Sequence, residues 1–115
     1  MTIFSERDAA HFFGINFRYD RKDEPLKSIR KVVQKEFNLT TQEMVGRQRA
    51  RNISFPRFIG YWLSRQLTHS SLPEIARVYN RDHTTIINGV KRVNEWEKTR
   101  PDWWDKANEI REEFI

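Results

Sequence analysis

Residues 71–93 read SLPEIARVYNRDHTTIINGVKRV, and the two half-patterns inside this stretch decide the fold. Leu72, Ile75, Ala76 and Tyr79 recur at i, i+3, i+4 and i+7, which is one face of a helix, and Ser71 with Glu74 has the form of a capping box. A helix therefore begins at Ser71. The apolar pattern breaks at Asn80, Arg81 and Asp82 and resumes with Ile86, Ile87, Val90 and Val93, with Asp82 or a following threonine available as N-cap. Two short helices joined by a tight polar turn make the helix-turn-helix pattern. The second helix carries Arg81, Asp82, His83, Thr84 and Thr85 at its mouth and Asn88, Lys91 and Arg92 along its exposed side. A helix that reads the DNA major groove is laid out this way, its first turn on base edges and its later basic residues on phosphate. The same residues also suit a charged cap on an ordinary solvated helix, and spacing alone does not separate the two.

The stretch resembles the signature of the C-terminal DNA-binding domain, domain IV, of the bacterial replication initiator DnaA, where a Ser-Leu-Pro-Glu-Ile helix leads into Arg-Asp-His-Thr-Thr. The likeness extends upstream. That family places a basic loop ending in Arg-Pro-Arg before a long helix, and this chain has Arg47, Arg49 and Arg51, then Phe55-Pro56-Arg57. Residues 25–113 can be laid along the family domain. The resemblance implies an all-α helix-turn-helix fold of about six helices, Trp-repressor-like in its motif, that binds an asymmetric A/T-containing duplex element as a monomer. It also implies minor-groove contact by Arg49 and phosphate contact by Arg57, Arg65 and Thr68. Two departures stand out. Phe58 occupies a place where a polar residue is common, and Asn80 alone fills the turn where the family has two glycines. Asparagine tolerates the left-handed conformation, so a tight turn remains feasible.

Length and composition fit this reading. A chain of 115 residues holds one modest core, and 37% hydrophobic with 32% charged residues describes a globular chain. The absence of cysteine excludes disulfides and cysteine-ligated zinc. No apolar run reaches the length of a membrane span, and the N-terminus lacks a signal-peptide pattern, so a cytoplasmic, nucleoid-associated location is expected. The net charge of +5 is unevenly spread. Residues 47–100 hold eleven Lys/Arg against four Asp/Glu, whereas residues 101–115 hold two against five. The basic excess sits with the motif, as expected of a nucleic-acid binder whose affinity comes largely from neutralised phosphates.

Residues 1–24 mix aromatics (Phe4, Phe12, Phe13, Phe17, Tyr19) with charge and form an N-terminal arm, partly packed or flexible. The DNA-binding domain then occupies 25–115. A first helix is expected from Pro25 to Phe37 through Leu26, Ile29, Val33 and Phe37, stopped by Asn38. Thr40 with Glu43 forms a second capping box, and Gly46 ends that short helix. Residues 47–52 read as a loop. Its arginines suit phosphates or a narrow minor groove, and they equally suit an exposed connector. Ser54 is the expected cap of the long helix that follows, with Pro56 in its first turn. Phe55, Phe58, Ile59, Trp62, Leu63 and Leu67 form its core face, and Arg57, Tyr61, Arg65 and Thr68 lie opposite. A closing helix carries Trp103, Ala107, Ile110 and Phe114 and should pack over the body.

Other chemistry is weakly encoded. No Gly-x-x-x-x-Gly-Lys-Ser/Thr run marks an ATP site, His11, His69 and His83 are too scattered for a metal, and no catalytic constellation stands out. Neither an enzyme nor a cofactor is expected. The expected function is sequence-specific binding of double-stranded DNA, as a transcription regulator of phage or mobile-element type. The alternatives are a modulator of replication initiation at DnaA-type boxes, or an adaptor that meets a protein partner through the aromatic arm or the Trp-rich C-terminus. Base contacts are expected from Arg49, Arg81, Asp82, His83, Thr84 and Thr85, and phosphate contacts from Arg47, Arg51, Arg57, Arg65, Thr68, Asn88, Lys91 and Arg92.

Overall fold

The computed structural model describes residues 24–114, so the expectations for residues 1–23 lie outside the described residues. Six helices follow one another: α1 (Glu24–Glu36), α2 (Thr41–Val45), α3 (Arg51–Leu67), α4 (Leu72–Tyr79), α5 (His83–Thr99) and α6 (Pro101–Glu112). No strand occurs among the described residues, and the all-α helix-turn-helix architecture is the one the sequence led us to expect.

Local chemistry sets most of the boundaries. Asn38 ends α1 with a left-handed φ of 56°. At α2 and α4 the capping boxes form in full: Thr40 accepts from the Glu43 amide while the Glu43 carboxylate accepts from that of Thr40, and Ser71 and Glu74 repeat the exchange. Asn80 closes α4 at φ 56°, ψ 48°, the conformation that lets one residue make the turn. Asp82 then caps α5 by accepting from the Thr85 amide at 2.8 Å.

One boundary moves. Helix α3 starts at Arg51 rather than after Ser54, behind Ala50 as N-cap with no side-chain cap. The Ser54 hydroxyl donates instead to the Arg49 carbonyl at 3.1 Å. Arg51 and Asn52 therefore belong to a helical turn. Pro56 falls inside the helix, where its missing N–H leaves the usual i−4 bond unmade.

The core is built around α3, whose middle is covered on nearly every side: Phe55, Ile59, Gly60, Tyr61, Trp62, Leu63 and Ser64 are all buried. Tyr61 corrects the expected polar face, being only 1% exposed. Its ring packs edge-on against Tyr79 of α4 and also abuts α5 at Gly89. The glycines here are spacers. A Cβ at Gly89 would lie 2.5 Å from the Tyr61 ring, and one at Gly60 would lie 2.4 Å from the Tyr79 hydroxyl oxygen, so α5 and α4 approach α3 only because those hydrogens replace methyls. Burial raises both phenol pKa values.

The far end is aromatic. Phe55 meets Trp96 at 4.8 Å and Trp103 edge-on at 5.1 Å, Phe37 stacks on Trp103 at 5.6 Å, and Trp62 contacts Trp104 at 5.5 Å. The Trp62 indole N–H donates to Asn94 of α5 at 3.1 Å. Helix α6 thus folds back over α1, α3 and α5 through Trp103, Trp104, Ala107 and Ile110, with Phe114 of the turn after it. The tryptophans go into packing, as expected, which leaves the alternative of a protein partner at this helix without support.

Candidate nucleic-acid interface

Following the chain from the α4–α5 turn shows what reaches the surface. Asn80 swings the backbone so that α5 begins with its first turn facing outward, and Asp82, His83 and Thr84 are exposed while Thr85 is half-buried. Bonds from the Thr85 backbone and hydroxyl hold the Asp82 carboxyl below the usual aspartate range, so it stays ionised at the positive end of the helix. Further along, Asn88, Lys91 and Arg92 are exposed as expected, while Ile86, Gly89 and Val93 face inward.

Across from this mouth lies the basic loop. Arg47, Arg49, Asp82 and Thr85 line one open cleft, with Tyr61 and Phe58 in its wall and the side chains of Arg57 and Arg81 also reaching it. A second hollow, sharing Phe58 and Thr85 with the first, is lined by Asn88, Gly89, Lys91, Arg92 and Glu95. The two hollows adjoin at Phe58 and Thr85 and follow one another from the loop along α5. Arg92 stacks over Phe58 at 5.6 Å, which explains how an aromatic at that position is accommodated beside basic neighbours.

Not every expected residue joins these hollows in the expected way. Arg57 is 4% exposed; its guanidinium donates to the carbonyls of Glu43 and Gln48. Arg81 is half-buried and donates to the carbonyls of Val45 and Gly46, and also to those of Tyr79 and Asn80. Both arginines were expected to present free charges to DNA, and here they are turned onto backbone acceptors of α2, the loop after it and the end of α4. Burial first, and then the charge of Arg81, lower the pKa of Arg57. Arg51 leaves the loop for the first turn of α3, where it lies over Phe55 at 5.5 Å and remains exposed. Arg65 is exposed at the last turn of α3, about 12 Å along the axis from Arg57 at 1.5 Å per residue. Thr68 serves that helix end: its hydroxyl donates to the Ser64 carbonyl at 2.7 Å and accepts from the Ser70 amide at 3.1 Å.

Ile87 was missed. Grouped by its spacing with the core, it is 39% exposed, the one large apolar side chain exposed among the described residues. It shares the outer face of α5 with Thr84 and Lys91 at i−3 and i+4. The signal was present: Ile87 lies about 100° around the helix from Ile86, on the side away from Gly89 and Val93, and so falls beyond the stripe those residues turn inward.

Among the described residues no group of three or more His, Cys, Asp or Glu side chains is arranged to hold a metal, and no helix is long and apolar enough to cross a membrane. Comparison with known proteins agrees with the fold. Residues 26–93 match the family model described as the bacterial dnaA protein helix-turn-helix. The chromosomal replication initiator protein DnaA of Wolbachia sp. subsp. Brugia malayi is 32% identical over 98 residues, covering 84% of this chain and 21% of that protein. That of Cereibacter sphaeroides is 42% identical over 71 residues, 61% of this chain and 16% of its own length. In Desulfotalea psychrophila the corresponding protein is 40% identical over 67 residues, 58% of this chain and 14% of its own length. The chain thus spans only about a fifth or less of these relatives. With the capped turn, the outward mouth of α5 and the matched region all on the same segment, the chain belongs to the bacterial DnaA helix-turn-helix family.

Proposed function

We propose that residues 25–115 form a binding module, rather than an enzyme, that recognises a short A/T-containing element in double-stranded DNA. One observation supports the reading: Asp82 and Thr85, which flank the exposed His83 and Thr84 at the mouth of α5, line a single cleft with Arg47 and Arg49 of the loop. In this reading His83, Thr84 and Thr85 meet base edges in the major groove, and Asp82 accepts from a cytosine amino group beside them. Arg49 enters the adjacent minor groove. Arg47, Arg51, Arg65, Asn88, Lys91 and Arg92 hold the phosphate backbone and set orientation, while the Thr68 hydroxyl stays on the Ser64 carbonyl. Ile87 adds apolar contact with a thymine methyl. Replacing that thymine by uracil should weaken the native protein and leave Ile87→Ala indifferent.

Selection of bound sequences from a random duplex pool tests the proposal. An asymmetric A/T-containing motif whose binding weakens steeply with salt is the expected result. Failure to enrich any sequence, or affinity independent of salt, would remove it. Two biological settings fit such a reader. Transcriptional control is one. The relatives, all named as chromosomal replication initiators, favour the other, occupancy of initiator-type boxes. Mapping the bound positions in a cell distinguishes clusters at a replication origin from sites at promoters.

A further inference from the structure

The loop that carries Arg47 and Arg49 has no apolar anchor, since Arg47, Gln48, Arg49 and Ala50 are all exposed. A surface segment of that kind is ordinarily free to sample many conformations. Here its backbone is gripped from two sides. From α3, Arg57 donates to Glu43 within α2, ahead of the segment, and to Gln48 inside it, and Ser54 donates to the Arg49 carbonyl. From the residue before the α5 cap, Arg81 donates to Val45 and Gly46, the last residues before the loop. Asn80 makes this reach possible, because its left-handed turn directs residue 81 back toward α2. A planar guanidinium presents several donors in a fixed fork and can satisfy these carbonyls together, which a lysine ammonium at the same place cannot.

We propose that Arg57 and Arg81 are positioning residues: a latch that locks the basic loop to the mouth of α5, so that the two DNA readers keep one fixed separation. This rests on the reading that loop and α5 engage the same duplex. It assigns the two arginines a role other than direct contact with phosphate or base. Their removal acts on DNA through Arg49 and its neighbours.

The chain has no cysteine, so Gln48→Cys provides a single site for a spin label while keeping the carbonyl that Arg57 uses. In the otherwise native protein the label should report a restrained loop. Adding Arg81→Lys, or Arg57→Lys, should raise its mobility with the thermal transition of the domain retained. On the selected duplex, Arg81→Lys should lose roughly tenfold in affinity although its charge is kept. Arg49→Ala should then cost almost nothing further in that background, because the loop contact is already gone. Binding by Arg81→Lys equal to the native protein, or losses from Arg81→Lys and Arg49→Ala that multiply, would overturn the latch. If Arg81→Lys does not fold, the native spectrum and Arg57→Lys decide: a label as mobile in the native protein as in the urea-unfolded chain overturns it. Absence of any specific duplex would remove the proposed function, while the label spectra would still test the latch.

Discussion

At its first turn α5 holds His83 and Thr84 out in solvent, whereas about 15–20 Å along the same helix Val93 and Trp96 are enclosed by α3 and α6. One element is thus an anchor at one end and a reader at the other. Burial at the aromatic end sustains the fold, so the exposed end is free to carry residues chosen for what they contact. The difference predicts that substitutions along α5 separate into those that unfold the domain and those that disarm it.

The largest effect should come from the anchored end. Trp96→Ala is expected to lower the unfolding free energy by about 3–5 kcal/mol in urea melts. A loss within the error of the melt would break the contrast. Gly89→Ala sharpens it, since the added methyl would press on the fully enclosed Tyr61 ring. A cost of roughly 1–3 kcal/mol is expected there, against about 0.5 or less for Asn88→Ala one residue away on the exposed face. Lys91→Ala should leave the melt unchanged, weaken binding to all duplexes alike and reduce the slope of log affinity against log salt by about 0.9. The smallest effect concerns Asp82. Its folded-state pKa is depressed, so its cap contribution is present above the ordinary aspartate range and is lost as pH falls through the lowered value. Melting temperatures of the native protein and Asp82→Ala should accordingly converge at the acid end of a pH series and part above it.

Much of this arrangement is legible in the residues themselves. Ser71 with Glu74, Thr40 with Glu43, and Asp82 state their helix starts because a side chain does the capping, and Asn80 states the turn because few residues tolerate its conformation. The start of α3 is not written in this way, since Ala50 caps nothing and Ser54 looks like a cap while bonding backward to Arg49. Periodicity placed Tyr61 among polar residues, yet Gly89 of α5 and the Tyr79 ring of α4 close over it, and contacts between distant segments leave no local period. Arg57 and Arg81 are harder still. Their charge reads the same whether the guanidinium faces phosphate or a carbonyl of its own chain, and only the course of α2 and the loop decides which.

The most direct measurement compares dissociation constants for the selected element and for a scrambled duplex, at matched salt, in the native protein and in His83→Ala and Thr84→Ala. Each substitution should cost about 1–3 kcal/mol on the selected element and almost nothing on the scrambled one. Equal losses on both duplexes, or no loss on either, would contradict the assignment of the α5 mouth as the reader.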